Sequence, residues 1–141
     1  MENMMILIVS IFAGVATYTI ANILNRGAVF ASALVTLVSG IIFPYFFPSM
    51  GNTLMVVAAC ASYAGMVGTK NVSKLWEMVM VSSITGILFI IASTAYIGVG
   101  GRLGTIAALS CFTWIGFKRV CRGVKFLNRE KYFIKWQVSN R

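Results

Sequence analysis

The sequence predicts an all-α integral membrane protein, a bundle of five transmembrane helices with the N-terminus outside and the C-terminus in the cytoplasm. Composition is the first observation, because 59% of the 141 residues are hydrophobic and only 11% are charged, which no soluble domain of this size needs. The second is a series of apolar stretches near the roughly 20 residues that cross about 30 Å of hydrocarbon. These stretches are Met4–Leu24, Ala28–Phe47, Asn52–Thr69, Leu75–Ile97 and Leu103–Phe117.

The placement of basic residues is the third observation, and it sets the orientation. If all five stretches cross, Arg102 is the one residue of the 12 Lys and Arg that falls opposite the rest. Basic residues in short loops resist translocation, so the crowded side is predicted to be cytoplasmic. The N-terminus, which carries Glu2, then faces outside. The predicted location is the plasma membrane.

The first two stretches are predicted to be antiparallel neighbours. The first lacks the basic start of a signal peptide and is longer than the usual apolar region of about 7–15 residues, so we interpret it as a retained span. The short turn Asn25–Gly27 joins it to the second stretch, as in a helical hairpin. Pro44 and Pro48 disfavour helix at the residue before each, which predicts that the second helix ends or kinks near Phe43.

The later stretches complete the bundle. Lys70–Lys74 forms the turn between the third and fourth stretches, and Ser73 is predicted to cap the fourth helix. The fifth stretch is short unless its helix runs from Gly101 to Val120. If it did not cross, the basic tail would lie outside, and this charge distribution decides the count in favour of five.

The chain is predicted to divide into a transmembrane domain, residues 1–117, and a basic amphipathic cytoplasmic tail, residues 118–141. The tail interleaves Lys and Arg with apolar side chains such as Phe126 and Trp136. This mixture predicts an interfacial helix on anionic lipid headgroups, and a disordered tail that only fixes orientation is the alternative. The net charge of +9 also suits nucleic acid. Because the basic residues crowd against a membrane end, no nucleic-acid partner is predicted.

Four of the predicted spans carry small or weakly polar residues three and four positions apart, which places them on one helix face. These stripes are Ser10, Gly14, Thr17 and Ala21; Ser32, Thr36 and Ser39; Ala58, Ser62, Gly65 and Thr69; and Ser82, Gly86 and Ser93. Close helix packing is one interpretation. The other is a path for a polar solute, with Ser62, Tyr63 and Thr69 of the third span as its predicted lining.

A glycine-rich turn precedes the fifth stretch and contains Arg102. The free N–H groups and the dipole at a helix start favour an anion, and Arg102 adds a fixed positive charge. Gly101, Arg102, Gly104 and Thr105 are therefore candidate substrate-binding residues. A purely structural turn is the alternative interpretation.

The residue types that the sequence lacks, or contains in small number, limit the classes of function that it can have. The chain has no histidine and three acidic residues, which argues against the usual metal sites, His-based catalysis and paired-carboxylate hydrolysis. No enzyme activity and no cofactor are predicted. Cys60 and Cys111 are placed within spans, and Cys121 is a juxtamembrane thiol compatible with lipidation, although an unmodified thiol is preferred.

The predicted function is a small transport or channel component that works as a homo-oligomer or beside a membrane-protein partner. No ionisable group is expected at mid-depth in the spans, so either the solute is neutral or anionic or a partner supplies the coupling to protons or cations. The alternative is a non-transporting accessory or assembly subunit of a membrane complex.

Overall fold

The computed structural model describes residues 2–24, 27–92 and 101–139, and these residues are helical or in turns. The helices are α1 (Glu2–Leu24), α2 (Ala28–Phe46), α3 (Gly51–Gly65), α4 (Leu75–Ile91) and α5 (Arg102–Ser139). No strand occurs within these ranges. The predicted all-α class with five helices is therefore confirmed. Asn25, Arg26, Ser93 and the glycines of residues 98–100 lie outside the described residues.

Helix length supports a membrane location for part of the chain. Within the described residues, α1 and α2 are long and apolar enough to cross a bilayer, whereas α4 is equally apolar but has 17 residues. The core helix of a soluble protein or a signal sequence also meets this criterion. The five-span topology is accordingly taken up below as a proposal.

α2 and α3 are joined by a tight turn around Gly51. The helix α2 continues through Pro44, because the Phe47 N–H donates to the Phe43 carbonyl at 2.9 Å. The helix therefore does not end near Phe43, and the alternative of a kink there remains a prediction. A Cβ on Gly51 would lie 2.6 Å from both the Phe43 oxygen and the Pro44 Cα. A residue without a side chain lets α3 begin directly against the end of α2.

The turn before α4 differs from its predicted form. Lys74 is the N-cap residue, and no side chain caps the helix there, so the predicted Ser73 cap is wrong. Instead, the Ser73 N–H donates to the Glu77 carboxylate at 3.1 Å. The Tyr18 hydroxyl donates to the Val72 carbonyl at 2.7 Å, and Val72 is fully buried. This bond fastens the turn to α1.

α3 lies at the centre of the bundle, since ten of its 15 residues are buried. It packs against α1, α2 and α4, and α1 also packs against α2 and α4. One apolar cluster joins these helices to the start of α5; its buried members are Ile6, Leu54, Val57, Cys60, Phe89 and Ile106. The Cys60 thiol also donates to the Leu103 carbonyl at 3.4 Å. The first ten residues of α5 therefore belong to this bundle.

Contacts divide the chain within α5, into Met1–Cys111 and Phe112–Arg141. The backbone of the second unit is helical as far as Ser139, so the basic tail is described as a helix rather than as disordered chain. The predicted boundary between residues 117 and 118 remains a prediction.

Candidate functional site

The small-residue stripes of three helices meet in what we call the seam, formed by Ser10, Gly14 and Thr17 of α1, Gly65 of α3, and Ser82 and Gly86 of α4. The Ser10 hydroxyl donates to the Ser82 carbonyl at 2.7 Å. A Cβ on Gly65 would lie 2.8 Å from the Thr17 Cβ and 2.9 Å from the Gly14 carbonyl. A Cβ on Gly14 would meet the Ser82 hydroxyl. Backbones approach here as the small side chains allow.

Several buried hydroxyl groups of the bundle bond to their own helices. Thr17, Thr85 and Ser110 donate to the carbonyl four residues earlier, at 2.8 to 2.9 Å, and each is at most 1% exposed. Ser82 differs, because its hydroxyl is buried without a hydrogen-bond partner among the described residues. All four hydroxyls belong to residues that are buried in the described bundle.

Ser62 is the centre of a three-hydroxyl cluster between α2 and α3. Its hydroxyl donates to the Ala59 carbonyl at 2.8 Å. Its oxygen lies 2.9 Å from the Ser32 hydroxyl and 3.1 Å from the Thr36 hydroxyl. A serine has one hydroxyl hydrogen, so Ser32 and Thr36 are the donors of these two bonds. Ser62 is fully buried, and the cluster joins the helices.

The three candidate residues of the third span are not brought together. Ser62 faces the interior, whereas Tyr63 is 41% exposed on the outer surface of α3. Thr69 is exposed and lies beyond Gly65, where α3 ends. The third stretch was expected to stay helical to Thr69, and that expectation is wrong. The substrate contacts predicted for these residues remain predictions.

Arg102 is directed toward the end of α4. Its Nη2 donates to the Ala92 carbonyl at 2.7 Å, and its guanidinium carbon lies 5.6 Å from the centre of the Phe89 ring. Its Nε is buried without a partner in the described part of the chain. A cation at a helix C-terminus compensates the free carbonyls and the negative end of the dipole. Arg102 therefore closes α4 as well as opening α5.

The neighbours of Arg102 form an ordinary helix start. Gly101 has a φ of 83°, a conformation that glycine adopts without strain. The Thr105 hydroxyl donates to the Arg102 carbonyl at 2.8 Å, and Gly104 faces open space. Gly101, Arg102, Gly104 and Thr105 thus lie together as the sequence predicts. Whether they bind a substrate remains a prediction.

Two surface features were not predicted from the sequence. The first, the α1–α2 groove, has a volume of about 440 Å³ and an apolar lining that includes Ile8, Phe12, Leu34, Val38 and Ile42, with Ser39 as the polar residue. The second, the α5 cup, has a volume of about 350 Å³ and is formed by Trp114, Phe117, Lys118, Cys121 and Arg122. The spacing of three and four residues in the cup was a visible signal for one helix face.

Comparison with known proteins adds no relative, since no family model, curated protein or solved structure matches the chain. Within the residues that the structure describes, no group of three His, Cys, Asp or Glu side chains is arranged to hold a metal ion. The seam, the α1–α2 groove, Arg102 and the α5 cup are the described features that bear on function.

Proposed function

We propose that the chain is a five-span integral membrane protein with its N-terminus outside and its C-terminus in the cytoplasm. The lengths of α1 and α2 support this topology. For α4, the apolar sequence continues to Ile97, which brings the stretch to spanning length. The uneven distribution of Lys and Arg supports the orientation, because it leaves Arg102 alone on the outer side.

α3 is the most demanding span in this topology. Its 15 residues cover about 22 Å of roughly 30 Å of hydrocarbon. Met66 and Val67 extend it, and their N–H groups donate to carbonyls of Tyr63 and Ala64 at 3.2 Å. Backbone that leaves a helix at membrane depth needs such partners. The central position of α3 among α1, α2 and α4 provides a protein environment for this end.

The proposed activity is that of a transport or channel component in which the solute path lies between subunits. The observation that carries this placement is the closure of the interior, where Ser10, Thr17, Ser62 and Ser82 are all fully buried. A path lined by hydroxyls inside one chain would need these groups to face a cavity. An oligomer, or a complex with a second membrane protein, supplies a path without opening the seam.

The proposed solute is neutral or anionic. Carriers coupled to protons or cations usually hold an ionisable group within their spans. In the described parts of α1 to α4, the acidic residues are Glu2 and Glu77, both in the first turns of their helices. Arg102 is the cation closest to the predicted outer surface, although its bond to Ala92 engages part of its charge.

A second candidate function is a non-transporting accessory subunit. The α1–α2 groove favours it, because the lining is apolar except for Ser39. Such a groove offers hydrophobic contact to another membrane component, and Ser39 is its single polar group for contact with a solute. In this function the basic tail is the cytoplasmic attachment to anionic lipid or to a partner subunit.

Cysteine accessibility tests the topology. In a chain with Cys60, Cys111 and Cys121 replaced, single cysteines near Glu2, Ser49 and Gly100 should react with an impermeant thiol reagent applied to intact cells. Cysteines near Asn25, Asn71 and Ser139 should react only after lysis. Reaction of the Ser139 site in intact cells would exclude the five-span orientation.

Reconstitution separates the two functions. If the chain is a transport component in itself, the purified protein should form a stable oligomer in liposomes and release small anions or neutral solutes. A tight liposome, together with stability that requires a co-purifying membrane protein, would favour the accessory subunit. Empty liposomes are the control.

A further inference from the structure

The α5 cup combines two cations with two aromatic rings on one helix face. The rings of Trp114 and Phe117 are stacked, with centroids 6.1 Å apart and planes inclined at 28°. Lys118 and Arg122 follow in the same cup. Residues four apart on a helix have Cβ atoms about 5–6 Å apart, so both cations reach one anionic group. Cys121 is exposed in the same cup.

The depth of the cup matches the edge of the hydrocarbon. A helix that begins at Arg102 and rises 1.5 Å per residue covers about 30 Å in about 20 residues, close to Cys121. Trp114 is then one to two turns deeper, and the cations are at headgroup level. At a membrane interface, proteins usually place aromatic rings on the hydrocarbon side and Lys or Arg on the headgroup side.

We propose that the α5 cup binds the phosphate-bearing headgroup of an anionic lipid of the cytoplasmic leaflet. Arg122 presents a planar fork that bonds two phosphate oxygens, Lys118 adds a point charge, and the stacked rings contact the glycerol and upper acyl region. This inference rests on the proposed membrane topology. It goes beyond a general attraction of the basic tail to anionic lipid, because it assigns headgroup binding to one face of α5. The other basic residues of α5 do not belong to this binding site.

Arg119 provides the matched control. It is exposed like Arg122 and carries the same charge three residues away, but it does not line the cup. Diffuse attraction to an anionic surface contributes about 1 kcal/mol for each basic residue near it. It therefore predicts equal losses for Arg119→Gln and Arg122→Gln. A site in the cup predicts a loss that depends on position.

The native thiol of Cys121 is a reporter inside the cup. We would place the protein with Cys60→Ala and Cys111→Ala in nanodiscs of phosphatidylcholine containing increasing fractions of phosphatidylglycerol. The readout is the rate at which N-ethylmaleimide, an uncharged reagent, alkylates Cys121. Phosphatidylglycerol should slow alkylation in a saturable way. Arg122→Gln should raise the half-saturating fraction about fivefold more than Arg119→Gln does, which corresponds to a difference of about 1 kcal/mol.

A second thiol position separates the cup from the surface as a whole. In a Cys121→Ala background, Val120→Cys lies at the same depth but outside the cup, and it should not be protected. Equal protection at residues 120 and 121, or equal effects of the two arginine variants, would overturn the proposal in favour of diffuse attraction. Equal protection by free inorganic phosphate in phosphatidylcholine nanodiscs would overturn the lipid assignment.

Incorporation of the protein into nanodiscs distinguishes a failure of the lipid-binding proposal from a failure of the proposed membrane location. Co-elution of the protein with nanodiscs reports membrane embedding, and nanodiscs expose both membrane faces. Protection of Cys121 is therefore independent of the orientation in cells.

Discussion

The two faces of α1 differ in the size of most of their side chains, although the buried face also carries Ile6. On one face, Ser10 and Thr17 are fully buried against neighbouring helices. On the other, Ile8 is 59% and Phe12 is 77% exposed along the α1–α2 groove. A helix of a soluble protein has the reverse arrangement, with large apolar residues inside. In lipid, apolar side chains gain little by leaving the solvent, so helices associate through small residues and hydrogen bonds.

This comparison bears on the membrane proposal. A water-soluble protein rarely exposes a large contiguous apolar surface, whereas exposed apolar residues such as Phe12, Leu37 and Ile41 continue across both α1 and α2. The inverted pattern therefore supports lipid as the environment of these helices. It also predicts that substitutions on the small-residue face disturb folding far more than substitutions of large residues on the other face.

The largest effect is expected for Gly65→Ala. The added Cβ would lie 2.8 Å from the Thr17 Cβ and 2.9 Å from the Gly14 carbonyl, and backbone cannot give way as a flexible side chain can. We expect a loss of about 3 kcal/mol in unfolding free energy, measured by denaturant titration of the purified protein in micelles. Gly40→Ala is the control, since its Cβ meets the Met55 sulfur at an ordinary 3.6 Å. Equal stability of the two variants would contradict the importance of the seam.

A smaller effect, which a second substitution should partly restore, is expected for Gly14→Ala. Its Cβ would collide with the Ser82 hydroxyl, and the Ser82 Cβ would lie 3.1 Å away. We expect a loss of about 2 kcal/mol. Ser82→Gly removes both atoms while keeping the carbonyl that Ser10 contacts. The double variant should therefore lose less than the sum of the two single losses, and strict additivity would show that these residues do not press on each other.

Arg102→Gln extends the comparison to the hydrogen bond between Arg102 and the end of α4. The change removes the charged donor from the Ala92 carbonyl and the cation from the Phe89 ring. We expect a loss of about 1 to 2 kcal/mol, with Arg102→Lys losing less. If Arg102 also attracts an anion, anion release from liposomes should fall in Arg102→Gln at equal protein abundance. Unchanged release would retire the anion site and leave the structural role.

Sequence pattern predicted the helices better than their ends. The starts of α2 and α4 fall at Ala28 and Leu75 as predicted, because polar residues or glycine directly precede each start in the sequence. α3 ends at Gly65 although the next residues are apolar. Composition alone does not predict where α3 ends. The end depends on which groups donate hydrogen bonds to the final carbonyls, and local turn geometry decides that. α2 does not end near Phe43, one of the two predicted outcomes, because the preference of proline for helix ends is statistical.

The site was predicted only in part, and for a physical reason. Spacing identified which residues share a face, so the stripes containing Ser10, Gly14 and Ser82 were found. Spacing does not tell which face meets which, so the bonds of Ser62 to α2 and of Arg102 to Ala92 required the tertiary structure. The spacing of the α5 cup residues would have predicted that they share one helix face. They were not grouped, because the aromatic residues were assigned to the predicted span and the cations to the predicted tail.

Ser62→Ala tests whether the hydroxyl cluster holds helices together or serves a solute. It removes the oxygen that Ser32 and Thr36 contact, and interhelical hydrogen bonds in membranes contribute about 0.6 kcal/mol each. We expect a loss of about 1 kcal/mol and unchanged solute release. Ser83→Ala is the control, because the Ser83 hydroxyl bonds to Val79 of its own helix. A stable Ser62→Ala variant with altered release would place the path inside the chain.

Phe12→Ala should have the smallest effect on folding, although it removes the most atoms. Its side chain is 77% exposed. In a membrane, lipid fills the space that the removed ring leaves, whereas the same change in the core of a soluble protein would leave a cavity and lose packing contacts. We expect a change below about 0.5 kcal/mol in unfolding free energy, the range of ordinary surface substitutions. Because Phe12 lines the α1–α2 groove, the same variant should weaken any oligomer or partner complex that uses this groove. Cross-linking in membranes before and after the substitution measures that effect. A strongly destabilised monomer would instead show that the large apolar face supports the fold, and the contrast between the two faces of α1 would fail.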